Sequence, residues 1–201
     1  MTNPFNSAHA FKHGLTMICG AVLALVLLGN SPAQAGSCAA ADVAMQAGTA
    51  FLKAAKTRRA SDFAAALASY TDMNRISLFA LGKYRGLLPA DRTAEFVSLT
   101  SRYVANTLAD FALKFKARSI SVIDCRGDKV ATRLVFGGSR AAKRATWRIA
   151  GGKVVDVNIQ NVWLAQLLRD NYVGILNKSG GSMAILFSNI GAAPERQVGV
   201  N

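Results

Sequence analysis

The side chains able to do chemistry are sparse and scattered. Asp62, Asp72, Asp91, Glu95, Asp110, Asp124, Asp128, Asp156 and Asp170 are dispersed along the sequence, with no paired-carboxylate spacing, nucleophile elbow or phosphate-binding loop among them. Gly137-Gly138 and Gly151-Gly152 fit hairpin turns better than phosphate cradles. Both histidines, His9 and His13, fall in a segment that reads as a cleavable leader. The chain beyond it therefore has no histidine to act as a general base, to activate a Ser or Cys nucleophile, or to ligate a metal. An enzyme acting on lipid headgroups would have to use Asp156 near Lys153 or Tyr172, and a strand-end carboxylate bonded to local backbone is the simpler account of Asp156. Binding is favoured over catalysis, and no cofactor or metal is expected.

The leader is residues 1–35. It has one base, Lys12, and no acid, then an apolar run from Leu15 to Leu28 and an Ala33-Gln34-Ala35 ending. This is the pattern of a secretory signal peptide, and the apolar run is short for a membrane span. Cleavage near Ala35 would leave a domain over 36–193 and a polar tail, 194–201, expected to be mobile. Cys38 invites a competing reading, a lipoprotein signal, although the Leu usual three residues before the lipidated Cys is missing. Cys19 would leave with the leader. The remaining Cys38 and Cys125, in an exported protein, favour a disulfide over free thiols.

Without Lys12 the chain retains 23 of its 24 Lys and Arg against 11 acidic residues, a net charge of +12. Export and the lack of an aromatic-interleaved basic motif argue against nucleic acid as the partner. Phospholipid headgroups and acidic partner surfaces are the anions of an envelope compartment. A generally solvated basic face is the plainer explanation of the same charge.

The elements that must position these residues begin with helices. Val43, Met45, Ala47, Ala50, Phe51 and Ala54 space a first helix between Cys38 and Arg59, with cations at its C-terminal end. Ser61 is placed to cap a second, Asp62–Tyr70, and a third runs from Asp72 to Leu81 and stops at Gly82. Pro89 suits the first turn of a long fourth helix, in which Phe96, Leu99, Tyr103, Leu108, Phe111 and Phe115 form an apolar stripe. The period then changes to two. Ile120 and Val122, the run Val130–Phe136, Ala141–Ile149, and Val155–Ile159 predict four strands separated by Gly127-Asp128, Gly137-Gly138-Ser139 and Gly151-Gly152. Arg133, Lys143, Arg144 and Arg148 should point outward. Helix resumes at Asn161, and a last short helix covers Ser182–Ile190. The class predicted is α+β, with several helices packed on one side of a curved four-stranded antiparallel sheet.

Ala80-Leu81-Gly82-Lys83-Tyr84, then Pro89-Ala90-Asp91-Arg92, Phe96 and Tyr103, followed in order by Trp147-Arg148-Ile149, Val155-Asp156-Val157, Asn161-Val162-Trp163-Leu164, Tyr172 and Gly180, resemble the MlaC family, also called toluene-tolerance auxiliary proteins. The resemblance covers roughly Asp42 to Ile190. It implies a periplasmic phospholipid carrier, not an enzyme. The partners it implies are a phospholipid, an inner-membrane ABC transporter complex and an outer-membrane lipoprotein complex, with a role in outer-membrane lipid asymmetry. Asn161-Val162-Trp163-Leu164 departs from the family's more usual Gly-Val-Ser-Leu-like segment, and Trp163 could narrow the pocket mouth. A hopanoid-like lipid is an alternative ligand.

Two acyl chains of about fifteen methylenes each lose on the order of 24 kcal/mol on leaving a bilayer. The resemblance therefore requires a deep apolar cavity between sheet and helices, near or above the usual upper volume of about 1,000 Å³. Inward positions nominate Leu78, Leu81, Phe96, Leu99, Tyr103, Leu134, Phe136, Trp147, Val157, Ile159, Leu164, Leu167 and Tyr172 to line it. Plain core is the competing role for each.

Overall fold

A computed structural model describes residues 38–114, 116–137 and 141–192. The expected leader, the tail 194–201, Phe115, and Gly138 and Ser139 of the second turn lie outside the described residues. Helix α1 spans Ala39–Thr57, and Arg58 closes it in the left-handed conformation, its N–H donating to Ala54 O. Helix α2 spans Ala60–Tyr70 with Arg59 at its N-cap position, two residues earlier than a cap at Ser61 would start it, so Ser61 lies inside the helix. Helix α3, Met73–Ala80, has Asp72 as its cap, the carboxylate accepting from Arg75 N at 2.9 Å. Pro89 does not open the long helix. Short 3-10 turns at Gly82–Leu87 and Ala90–Arg92 come first, and α4 spans Thr93–Lys114.

The buried face of α4 also differs from the aromatic stripe. Phe96, Thr100, Val104, Ala105, Ala109 and Ala112 are buried, whereas Leu99, Tyr103 and Leu108 are half-buried and Phe111 is exposed. Spacings of five drift off one side of a 3.6-residue helix, and small residues take the seam where neighbouring helices approach.

Strands β1 (Ala117–Arg126), β2 (Lys129–Phe136), β3 (Lys143–Ala150), β4 (Lys153–Ile159) and β5 (Val162–Trp163) form an open antiparallel sheet in chain order. Five strands, not four, make it. Gln160 and Asn161 both adopt left-handed backbone, φ 54° and 66°, and Asn158 Oδ1 accepts from Asn161 N at 3.1 Å. That tight turn brings Val162 and Trp163 back against Ile159 and Asn158 before helix α5 begins at Leu164, three residues later than expected from Asn161. Helix α5 ends at Lys178, and α6, Met183–Gly191, is capped by Ser182.

Register divides the sheet into two faces. Val130, Thr132 and Leu134 share one with their β3 partners Trp147, Ala145 and Lys143, and with Val157 and Ile159 of β4. Lys143 thus lies on this face rather than with the outward cations. Helix α1 packs here: a Cβ added to Gly48 would stand 2.5 Å from Ile120 Cδ1 and 3.6 Å from Trp147 Cζ2. Lys129, Arg133, Arg144 and Arg148 occupy the opposite face. The apolar interior forms two clusters. One lies among α2 to α6 around Leu67, Phe96, Tyr172 and Leu186; the other joins α1 to the sheet through Ala44, Ala47, Val130, Trp147 and Val154. Cys38, just before α1, is disulfide-bonded to Cys125 of β1, with Cα atoms 6.4 Å apart.

Candidate functional site

The nominated lining residues divide between those clusters. Leu81, Phe96 and Tyr172 are buried in the helical one, with Leu78, Leu99, Tyr103 and Leu164 half-buried against it. Trp147 is buried in the sheet–α1 cluster and Val157 packs on it. Leu134 and Phe136 share Trp147's face but belong to neither cluster. Ile159 and Leu167 are 41% and 52% exposed, so they flank the interior rather than line it.

Phe51 was not among the nominated residues, yet it packs against both clusters and stacks on Trp147 with ring centroids 6.5 Å apart. Its signal was its size: it is the one aromatic residue in a helix built largely of alanine. The two apolar bodies meet at this side chain.

Aromatic contacts show which nominated residues are packed core. Phe96 meets Tyr172 edge-on at 6.0 Å and stacks on Phe187 at 5.7 Å; Tyr172 meets Tyr103 edge-on at 6.2 Å. The Tyr172 hydroxyl donates to Thr100 Oγ1 at 3.4 Å, and burial pushes its pKa well above the ordinary phenol value. Asn171 Nδ2 donates to the Tyr103 hydroxyl at 2.9 Å. On the sheet, Trp147 Nε1 donates to the buried Thr132 Oγ1 at 2.9 Å. The polar tips along this interior are therefore largely paired, and what they frame is apolar.

Asp156 is the one buried carboxylate among the described residues. Its Oδ1 accepts from Val157 N at 2.9 Å and from Ala165 N at 3.0 Å, and Arg148 Nη1 stands 4.0 Å from Oδ2. Trp163 precedes α5 without capping it by its own side chain, so Asp156 supplies the missing acceptor from the neighbouring strand. Burial raises its carboxyl pKa, while the two backbone N–H groups and Arg148 pull it down. Neither partner of the catalytic reading is beside it in a working arrangement: Lys153 Nζ donates to Ser69 O, and the Tyr172 hydroxyl is held by Thr100. Trp163 lies under the Arg148 guanidinium, 4.1 Å from ring centroid to Cζ, on the register face of Asn158 and Asp156. It is thus placed away from the α1-covered face and does not narrow an opening there. Among the described residues, no group of three His, Cys, Asp or Glu could hold a metal ion, and no helix is long and apolar enough to cross a membrane.

The model of the MlaC protein family matches residues 41–188, from the first turn of α1 into α6. The chain belongs to the MlaC family. Among solved structures, this MlaC-family chain is similar to a phospholipid-binding protein from Ralstonia solanacearum, determined in complex with a phospholipid. The two share 18% identity, with 75% of this chain and 94% of that one covered and a TM-score of 0.55, a likeness of fold. Comparison with curated protein sequences finds no match. The MlaC match takes in both apolar clusters except Ile190 at the end of α6 and Ala40 at the start of α1, together with Phe51 between them.

Proposed function

We propose that this MlaC-family protein is a periplasmic phospholipid carrier that takes lipid from one membrane complex to another, an ABC transporter assembly on the inner membrane and a lipoprotein assembly on the outer. It is a binder and not an enzyme. The observation that carries the reading is the division of the interior into a helical cluster and a sheet–α1 cluster joined at Phe51, in a chain of this family. Acyl chains entering between those bodies would extend both apolar surfaces, with Leu134, Phe136 and Val157 on the sheet side and Leu78, Leu99, Tyr103 and Leu164 on the helix side. Ile159 and Leu167, exposed beside them, would border the entrance. Lys143 stands on the same sheet face, and its ammonium would meet the headgroup phosphate. The phospholipid bound to the Ralstonia protein of the same fold supports this ligand class. The structural engagement of Asp156, Lys153 and Tyr172 favours carriage over headgroup chemistry.

Mass spectrometry of organic extracts from the purified protein tests the reading. A phospholipid recovered in near-stoichiometric amount is expected. Recovery of a hopanoid-like lipid would change the ligand class, and lipid-free protein that hydrolyses added phospholipid would overturn carriage.

A further inference from the structure

On the sheet face turned away from α1, cations stand opposite one another. Lys129 of β2 is the direct partner of Arg148 on β3, and Arg133 of β2 is the direct partner of Arg144. Like charges directly across a strand pair are destabilising, and two such pairs occur within one hairpin. Lys129, Arg133 and Arg144 are exposed. Nearby acids do not neutralise them. Asp156 is engaged by Arg148 and two backbone N–H groups, and Asp124 by Arg126 at 3.0 Å. Asp128 sits at the β1–β2 turn, beyond the end of the array. Among the described residues no carboxylate pairs with Lys129, Arg133 or Arg144. Ser121 of β1 faces Arg133, Ser119 faces Val135, and Thr146 faces Ala131, so hydroxyls lie between the cations and the 38% exposed Val135 stands at one end. Helix α1 covers these strands on the other side only.

We infer that this basic face of β1–β3 is a docking surface for an anionic bilayer, with lipid phosphates as the groups recognised. Two acids share this face, Asp124 in register with Ala131 and Asp156 in register with Arg148, but each is held by an arginine, so the charge left unpaired, on Lys129, Arg133 and Arg144, is of one sign and suits a surface of uniform negative charge. Guanidinium groups bind phosphate oxygens in a bidentate fork, the hydroxyls add donors between them, and Val135 offers a small apolar contact at headgroup depth. Occupancy by phosphates relieves the repulsion that the two like-charge pairs impose on the free protein. The inference stands apart from the lipid-carrying interior, because the face lies on the opposite side of the sheet.

Co-sedimentation of the full chain with phosphatidylcholine vesicles, with and without phosphatidylglycerol, tests it. Binding is expected only to the anionic vesicles and should weaken as salt is added. The double variant Arg133→Gln/Arg144→Gln should bind about 25-fold more weakly, about fivefold for each cation removed near a charged membrane. Its melting temperature should equal or exceed that of the wild type, since a repulsive pair is gone. The charge-matched variant Lys53→Gln/Arg102→Gln, altered at exposed positions on α1 and α4, should bind within a few-fold of the wild type. Equal loss in both variants would reduce the effect to net charge and overturn the inference. Equal binding to neutral vesicles, or retention by polyglutamate without retention by anionic vesicles, would overturn it as well.

Discussion

At the scale of single residues, Asp156 shows how a carboxylate that looks available for chemistry is used to hold the fold together. One oxygen accepts from both Val157 N and Ala165 N, the second of these at the start of α5, while the whole group is 8% exposed. Burial, the largest influence, raises its carboxyl pKa above 3.8. The folded chain therefore holds the proton more tightly than the unfolded one. The stabilisation this gives is complete below the ordinary carboxylate value and is lost as pH rises through the folded one. Asn in its place keeps an acceptor for the two N–H groups and never ionises. Asp156→Asn should thus gain stability relative to wild type as pH rises from about 3.5 to 7, a window set by the direction of that shift. Denaturant unfolding of both proteins across the range measures this. A variant that instead loses ground with rising pH would show that Arg148 and the helix terminus outweigh burial.

At the scale of elements, helix α1 decides how closely the helices approach the sheet. It is rich in alanine, and Gly48 sits where any side chain would strike Ile120, 2.5 Å from an added Cβ. Gly48→Leu brings a favourable helix propensity, worth about 1 kcal/mol, but must displace Ile120 and Trp147. Overpacking of this kind costs about 1–3 kcal/mol, and bulk on that scale cannot be absorbed by rotating one flexible tip. The net loss is up to about 2 kcal/mol, and a melting temperature lower by up to roughly 8 °C is expected, read by thermal denaturation. The same helix marks what the sequence could and could not disclose. Its ends, the α3 stop near Gly82, and the hairpins at Gly127 and Gly151-Gly152 were legible because capping and turn chemistry are local. The fifth strand was not, since Gln160 rarely takes left-handed backbone, and Asn161, which takes it more readily, lacks the adjacent glycine that marks a two-residue hairpin turn. Nor was the side of Lys143, because the turn before it hides the register on which inward and outward depend.

At the scale of the whole molecule, the disulfide and the two clusters act on different parts of the free energy. Joining Cys38 to Cys125 closes a sequence separation of 87 residues, and chain entropy assigns such a closure roughly 4–5 kcal/mol, acting on the unfolded state. The clusters act on the folded state, and their separation is what the proposed carriage depends on. That the nominated lining residues are apolar was legible in the sequence. Which members are packed core was not, because periodicity reports that a side chain is inward and cannot say whether another side chain or a ligand lies against it. Phe96, wedged between Tyr172 and Phe187, is core; Leu164 is half-buried at the first position of α5.

That contrast yields the last prediction, which rests on the proposed carriage. Phe96→Glu places an unpaired charge in a fully packed site, a change costing several kcal/mol against a total stability of about 5–15 kcal/mol, so little folded protein should be recovered. Leu164→Glu places its carboxylate at a helix N-terminus, where the dipole favours negative charge, and half in solvent. It should remain folded and melt within a few degrees of wild type while losing most of its co-purified lipid, because the same carboxylate would have to lie against acyl chain when the ligand is bound. Thermal melting and lipid extraction on both variants separate the two roles. A folded Leu164→Glu protein with its full complement of lipid would show that the acyl chains do not pass the first turn of α5, and the entrance would then have to be sought at another edge of the two clusters.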